Sequence, residues 1–479
     1  MKTLRHLIGG RWEEATGADM VTVVNPATEE AFARFGAASA DDVGRAVAAA
    51  SDAQPRWAAL TVTERVDHIN AWAETIAAHA AELAELECRE MGKPVGIGRT
   101  FIDGATAGLK AAAAQALTYP FTETVTGPGG EHTDIVRHPL GATAVITPWN
   151  FPVPMVLGAL GPLLAAGNTV VVKPSERSPA STVRLFELAE SAGLPAGVLN
   201  LILGEGPTGA ALTEHEDVQL VHFTGSVEAG RSVGSATGRR LRRCLLELGG
   251  KDPVVVDAGV DPVTTAQAVA FGAFINTGQI CTSMERIYVH EQIADEFVEA
   301  LVSAAQTFTL GDGTEPATVL GPLVDERQRD TVRRHVEDAV NKGATLRTGG
   351  AVPQRPGYFY PATVLTDVDD TMLVMTEETF GPVAPVVVVP SFEEGMARAA
   401  ASRYGLAATV YTDDPDHIAA AAHLPAGVVW VNQWQGGGPE RLYEPARDSG
   451  MGATGARAAY DAATRPTSVH HAPTPAAVR

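Results

Sequence analysis

The sequence predicts an α/β protein made of two doubly wound parallel-sheet domains with a protruding β-hairpin, and three observations predict it. First, from Ala142 onward short apolar segments, ATAVIT (142–147), TVVVK (169–173), VLNLIL (198–203) and QLVHF (219–223), alternate with helix-compatible stretches. Near-continuous apolar strands separated by helices describe a parallel sheet covered on both faces. Second, the pattern restarts after residue 251 with PVVVD (253–257), RIYVH (286–290), PATVL (361–365), APVVVV (384–389), LAATVYT (406–412) and GVVWVN (427–432), with helices at 291–309 and 325–342 between them. Third, residues 120–140 interrupt the first series with β-formers around Gly127, Pro128, Gly129 and Gly130, a hairpin signal.

Upstream of the first sheet the chain reads as helical. Helices are expected at 41–59, 61–91 and 99–117. In the second, Thr61 and Glu64 have capping-box spacing, and Val66, Ile69, Ala73, Ile76, Ala80 and Leu83 form one apolar stripe. The hairpin is marginal alone and needs a further strand. The change of series near residue 248 places a cleft between two domains, where ligands commonly bind.

Length and charge narrow the function. A chain of 479 residues exceeds what a single core usually fills. A formal net charge of -21 argues against nucleic-acid binding, which rests on clustered Lys and Arg. The cluster Arg239, Arg240, Arg242 and Arg243 reads as a solvated helix end. No run approaches the roughly 18 apolar residues of a membrane span, and the N-terminus lacks a secretory pattern, so a cytoplasmic location is expected. Cys88, Cys244 and Cys281 lie far apart, which suggests neither a disulfide framework nor a metal site.

The chemistry concentrates around TGQICTS (277–283), which carries Cys281. An unperturbed cysteine is only about 3% thiolate at neutral pH, so a site using it must supply a base and charge stabilisation. ELGGK (247–251) offers Glu247 as the base, and PWNFP (148–152) offers the Asn150 amide to an oxyanion. KPSE (173–176) ends the second strand, where Lys173 and Glu176 can both bond vicinal ribose hydroxyls, while a carboxylate would repel a 2′-phosphate. FTGS (223–226) suits a pyrophosphate: Gly225 permits close approach and Ser226 opens a helix. GEGPTG (204–209) matches the dinucleotide fingerprint, but Pro207 and its place after the third strand argue against that role.

PWNFP, KPSE, FTGS, ELGGK, GQICTS and EETFGP (377–382) follow in this order, and the chain resembles the NAD(P)-dependent aldehyde dehydrogenase superfamily from about residue 7 to about residue 470. The resemblance implies an NAD-binding domain (1–119 and 141–248), a catalytic domain (249–447), an oligomerisation arm (120–140 and 458–470) and a tail (471–479) that is disordered by composition. It implies that the segment 458–470 pairs with the hairpin of a neighbouring subunit in a homodimer or homotetramer. It adds Ile146, Pro148, Trp149, Phe223, Leu248, Glu378 and Phe380 as cofactor contacts, with the pyrophosphate near Gly225 to Gly230 and the adenine near Gly206 and Gly209. NAD is the expected cofactor, with NADP possible.

The implied reaction is oxidation of a small-molecule aldehyde to an acid: a Cys281 thiolate attacks, Asn150 and the Cys281 N–H hold the oxyanion, and Glu247 activates the hydrolytic water. Phe151, Met155, Gly158, Ile280, Thr282, Trp434 and Tyr443 are the pocket candidates, suited to a hydrophobic or aromatic aldehyde. The sequence departs from the family's Pro-Phe-Gly-Gly-x-Lys-x-Ser-Gly loop, whose places hold Leu442, Tyr443, Glu444, Pro445, Ala446 and Arg447. Arg447, and less directly Arg441, would serve an anionic semialdehyde instead. A noncatalytic binding or structural protein of the same fold would be expected to have lost the thiol or the base, and both are present.

Overall fold

The computed structural model describes residues 1–17, 19–438 and 441–472. An eight-stranded sheet runs, in spatial order, Gly450–Met451, Arg243–Glu247, Leu220–Thr224, Ala142–Ile146, Thr169–Lys173, Leu199–Leu201, His6–Ile8 and Arg11–Glu13. Its five central strands are parallel and its flanking strands antiparallel. Ala142–Ile146 lies between the strands that follow it to either side, so the crossovers leave in opposite directions. A crevice opens at such a point beyond the carboxyl ends of the strands. Ile146, Lys173, Thr224 and Glu247 are the last residues of their strands and therefore share its floor.

The second sheet has seven strands in the order Thr345–Thr348, Thr363–Thr366, Val383–Val389, Met284–His290, Asp252–Val256, Ala407–Tyr411 and Val428–Val431. All neighbours are parallel except the first pair. Its interior strands are buried almost throughout, which is why they read as unbroken apolar runs. The sequence reading did not anticipate a further small sheet of Lys2–Leu4, Met20–Asn25 and Glu30–Gly36.

Helices Ala40–Ala59, Val62–Ala78, Ala80–Met91 and Val95–Ala116 cover the first sheet. The Thr61–Glu64 capping box is formed, with Thr61 Oγ1 accepting from the Glu64 N–H at 3.2 Å. The expected helix 61–91 is two helices: His79 leaves helical geometry, and its Nδ1 lies 2.8 Å from the Thr75 carbonyl, taking over a partner of the last turn. Trp57 and Trp72 are fully buried, and their Nε1 groups donate to the carbonyls of Leu164 (3.0 Å) and Leu185 (3.2 Å). Glu87 pairs with the buried Lys93 at 2.8 Å and accepts the Val153 N–H at 3.1 Å. Glu90 accepts the Ala180 N–H at 2.6 Å, so buried carboxylates dock the starts of Pro152–Ala165 and Ala180–Ser191 onto this layer.

The hairpin is formed by Thr122–Thr126 and His132–Pro139. The C-terminal segment corrects the sequence reading in two ways. Residues Ala456–Ala463 are helix, and the strand Thr464–His471 pairs antiparallel with His132–Pro139 of its own chain, not with a neighbour's hairpin. The helix brings the strand back: Tyr119 donates to Asp461 at 2.6 Å, Arg137 pairs with Asp461 at 2.9 Å, and Arg243 donates to the Thr464 carbonyl at 2.6 Å. Arg243, read as part of a solvated cluster, is thus an anchor of the arm. The tail assigned to 471–479 lies outside the described residues from 473 on.

Replacing Trp72 by Ala removes a fully buried indole and its hydrogen bond to the Leu185 carbonyl. The variant is expected to lose about 3–5 kcal/mol, measured by urea unfolding followed by far-UV circular dichroism.

Candidate active site

Cys281 stands at the end of a backbone path that glycine and tight packing make possible. After helix Pro262–Phe274 the chain turns through Asn276, Thr277 and Gly278 with φ of 54°, 59° and 68°, three left-handed residues in a row. Side chains costing about 1–2 kcal/mol each in that region persist only where surroundings over-determine them. Here Thr277 Oγ1 donates to the Gly321 carbonyl at 3.0 Å, Gln279 Oε1 accepts the Val324 N–H at 2.9 Å, and Asn276 Nδ2 donates to the Gln279 carbonyl at 3.2 Å. At position 278 a Cβ would sit 2.1 Å from the Gly381 carbonyl oxygen. The TGQIC and EETFGP motifs therefore interlock.

Asn150 is buried on the opposite wall, and its Nδ2 donates to the Gln279 carbonyl at 2.9 Å. One amide hydrogen thus ties Asn150 to the thiol loop. Cys281 is half-buried, and its thiol is pushed up by burial first and then by the carboxylates of Glu247, Asp252 and Glu378. Attack through this sulfur therefore requires removal of its proton.

Glu247 ends its strand in the same recess. Burial raises its pKa, opposed by a hydrogen bond from Thr454 and by the charge of Arg441. The two glycines after it are steric necessities: a Cβ at Gly249 would lie 2.3 Å from Glu378 Oε2, and one at Gly250 2.7 Å from the Cys281 carbonyl. Glu378 accepts the Gly250 N–H at 3.0 Å, and burial pushes it up to about 8. Behind it the sequence reading missed a buried pair. Lys251 donates to Glu285 at 2.5 Å, and Glu285 accepts the N–H groups of Thr379 and Phe380 at 2.8 Å. That carboxylate holds Phe380 at φ 52° with its ring edge-on to Trp149, centroids 5.3 Å apart.

A cavity of about 1050 Å³ runs from Cys281 and Asn150 along the carboxyl ends of the first sheet. Ile146, Pro148, Trp149, Phe151, Met155, Lys173, Glu176, Gly206, Gly209, Phe223, Gly225, Ser226, Leu248, Glu378 and Phe380, all singled out in the sequence, line it. Gly230 does not; it is small because a Cβ there would meet the Leu248 side chain at 2.3 Å. Gly158 is exposed with open space where a side chain would point, outside the cavity wall. Ser226 caps helix Val227–Arg239, accepting from the Ala229 N–H at 3.3 Å, so the helix N-terminus offers donors to an anion. Lys173 is buried, donates to the Pro174 carbonyl at 2.9 Å and lies 3.8 Å from Glu176. The crevice fits a dinucleotide in size, in its glycine-lined floor and in its polar groups.

On the far side of the thiol, Phe151 and Ile280 pack with Ile275, Ile97, Phe101, Met155 and Trp434. Trp434 Nε1 and Gln435 Nε2 donate to the Thr282 carbonyl and hydroxyl, each at 3.0 Å. Tyr443 joins this side from the altered loop: its phenol is raised by burial, then by Cys281 and Glu247. Arg447 does not; its guanidinium donates to the Ala400 carbonyl at 2.8 Å and also to Ser402, facing away.

Two domains meeting at a thiol, with a dinucleotide-sized crevice that reaches Cys281 between Asn150, Phe151 and Met155, define an oxidoreductase of the nucleotide-binding α/β class; Ile280, Thr282, Trp434 and Tyr443 do not line that crevice. Residues 12–469 match the aldehyde dehydrogenase family, and the chain belongs to it. It is 36% identical over 468 residues to 2-hydroxymuconic semialdehyde dehydrogenase of Pseudomonas sp. (strain CF600), covering 95% of this chain and 96% of that one. It is 37% identical over 465 residues to phenylacetaldehyde dehydrogenase of Pseudomonas fluorescens, covering 93% and 91%. Among solved structures, the NAD-dependent aldehyde dehydrogenase from Sinorhizobium meliloti superposes with a TM-score of 0.96 at 33% identity, covering 100% of this chain and 97% of that one. The chain is an enzyme that oxidises aldehydes.

Gly278→Ala adds both a left-handed Cβ and the clash with Gly381. It is expected to lose more than about 2 kcal/mol of stability and most activity, seen in a thermal melt and an aldehyde oxidation assay.

Proposed function

We propose that the chain oxidises an apolar or aromatic aldehyde with NAD, through a covalent bond to Cys281 and hydrolysis by water that Glu247 activates. The observation that supports this most is the continuity of one cavity from Glu176 and Ser226 to Asn150, Phe151 and Cys281. Lys173, Glu176, Ser226 and Glu378 would hold NAD, which supplies a hydride acceptor and a cationic ring beside the thiol.

As Cys281 Sγ bonds to the aldehyde carbon, its proton passes to solvent, and the new oxyanion takes the remaining Asn150 amide hydrogen. Such a donor is typically worth about 3–4 kcal/mol. Loss of hydride from that carbon restores the carbonyl as a thioester. Glu247, ionised, takes a proton from water as the water oxygen attacks. The C–S bond breaks, the electron pair returns to sulfur, and the acid leaves. A carboxyl raised above its ordinary range is a stronger base for that transfer.

Phe151 and Met155, which line the cavity beside Cys281 and are backed by Ile280 and Trp434, support a hydrophobic substrate. A second reading, an anionic semialdehyde, rests on Arg441, whose charge bears on Glu247 and Tyr443. NADH formation with aliphatic, aromatic and semialdehyde substrates separates the two: aromatic aldehydes should show the highest kcat/KM, and a semialdehyde preference abolished by Arg441→Ala would transfer the assignment. We further propose assembly through the arm, whose outer strand Thr122–Thr126 is exposed throughout, and a cytoplasmic location. A sedimentation measurement showing only monomer would refute the assembly.

Two outcomes are expected. The acid limb of kcat should lie above the ordinary glutamate value of 4.5, because the reactive form is the ionised one and burial raises its pKa; activity is present above that limb and falls below it. A pH profile of steady-state turnover measures it. Glu176→Gln should narrow the preference for NAD over NADP in kcat/KM by roughly tenfold, since the repulsion of a 2′-phosphate is removed.

A further inference from the structure

We propose that Thr454 is a positioning residue for Glu247, holding the carboxylate by its hydroxyl in the place from which it serves water. The inference rests on Glu247 acting as the base.

Thr454 Oγ1 carries one proton and has two acceptors in reach, Glu247 Oε1 at 2.7 Å and the Tyr443 carbonyl at 3.4 Å. The nearer, charged acceptor takes it, because hydrogen bonds to ionised groups are the shorter and stronger ones. No other hydrogen bond to the Glu247 side chain is formed among the described residues. Without the hydroxyl no hydrogen bond from the described residues fixes the carboxylate's rotamer.

The backbone is built to put the hydroxyl there. Thr454 and Tyr443 exchange both main-chain hydrogen bonds, at 2.7 and 2.9 Å. Upstream, Gly450 and Met451 pair antiparallel with Glu247 and Leu246, so the segment bearing Thr454 runs from the very strand that ends in Glu247. It can do so only through glycine. Gly450, Gly452 and Gly455 have φ of 139°, 88° and 77°, and Cβ atoms there would meet the Leu246 carbonyl at 1.9 Å, the Leu245 side chain at 2.5 Å and the Arg441 carbonyl at 2.1 Å. Charged and titratable neighbours of Glu247 are Arg441, Cys281 and Tyr443; Thr454 is the one that bonds it directly.

p-Nitrophenyl acetate tests this without knowledge of the natural aldehyde. The Cys281 thiol loses its proton to solvent as its sulfur bonds to the acetyl carbon, and p-nitrophenolate leaves as a burst. Water then attacks the thioacetyl group, Glu247 takes its proton, the C–S bond breaks to thiolate, and acetic acid departs in the slow phase. Thr454→Val keeps the shape and the backbone bonds but not the proton. It should retain the burst, slow the following phase roughly tenfold, and move that phase's acid limb to higher pH, since the ionised carboxylate loses its donor. Thr454→Ser should restore both. A wild-type slow phase and limb in Thr454→Val overturns the proposal, and so does equal loss of burst and slow phase, which would make Thr454 a purely structural support. Glu247→Gln separates the two levels: if it deacylates normally, the base assignment itself fails; if it is slow while Thr454→Val is normal, only Thr454 is excluded.

Discussion

The thiol's position depends on one constraint: the chain must pass through Asn276, Thr277 and Gly278 in left-handed geometry and still lie against Gly381. Every neighbouring motif contributes to satisfying it. Asn150 binds the Gln279 carbonyl from the first domain, Gln279 and Thr277 bind the 321–324 segment, and Gly381 leaves room at position 278. The strain is stored where two domains meet, so the cleft and the nucleophile are set by the same contacts. Displacing either domain would move the thiol.

Around this thiol the charges are arranged unfavourably for a resting thiolate. Glu247, Asp252 and Glu378 all raise it, and Asp252 is itself raised by burial, with Oδ2 lacking a hydrogen-bond partner. The buried cations nearby are engaged elsewhere: Lys251 by Glu285 and the Thr379 hydroxyl, where it fixes the loop that carries Phe380, and Arg286 by the Lys251 and Ala399 carbonyls. A cationic ring entering the crevice would reverse part of that balance.

Much of this was legible in the sequence. Parallel strands show as apolar runs because both their faces are buried, and catalytic motifs show because their glycines and prolines answer local steric demands. The residues that place the catalytic groups were not legible. Lys251, Glu285, Gln279 and Thr454 act through partners 34 to 207 positions away, and no local pattern encodes that. Gly158 was misplaced because a small residue on a helix signals space without saying which side it faces. Thr464–His471 was β-prone in sequence, but its pairing with its own hairpin follows from the Asp461 and Arg243 anchors. The lysine in ELGGK was the one usable signal for the buried pair, since a charge at the start of a buried strand requires a counter-charge.

The central claim, that Cys281 carries the substrate covalently and Glu247 releases it, is tested most directly by mass spectrometry of Glu247→Gln quenched during turnover of phenylacetaldehyde with NAD. The account predicts an acyl mass increment that maps to the peptide containing Cys281 and disappears on treatment with hydroxylamine. An enzyme that forms NADH in the first turnover yet shows no adduct on Cys281 would contradict it.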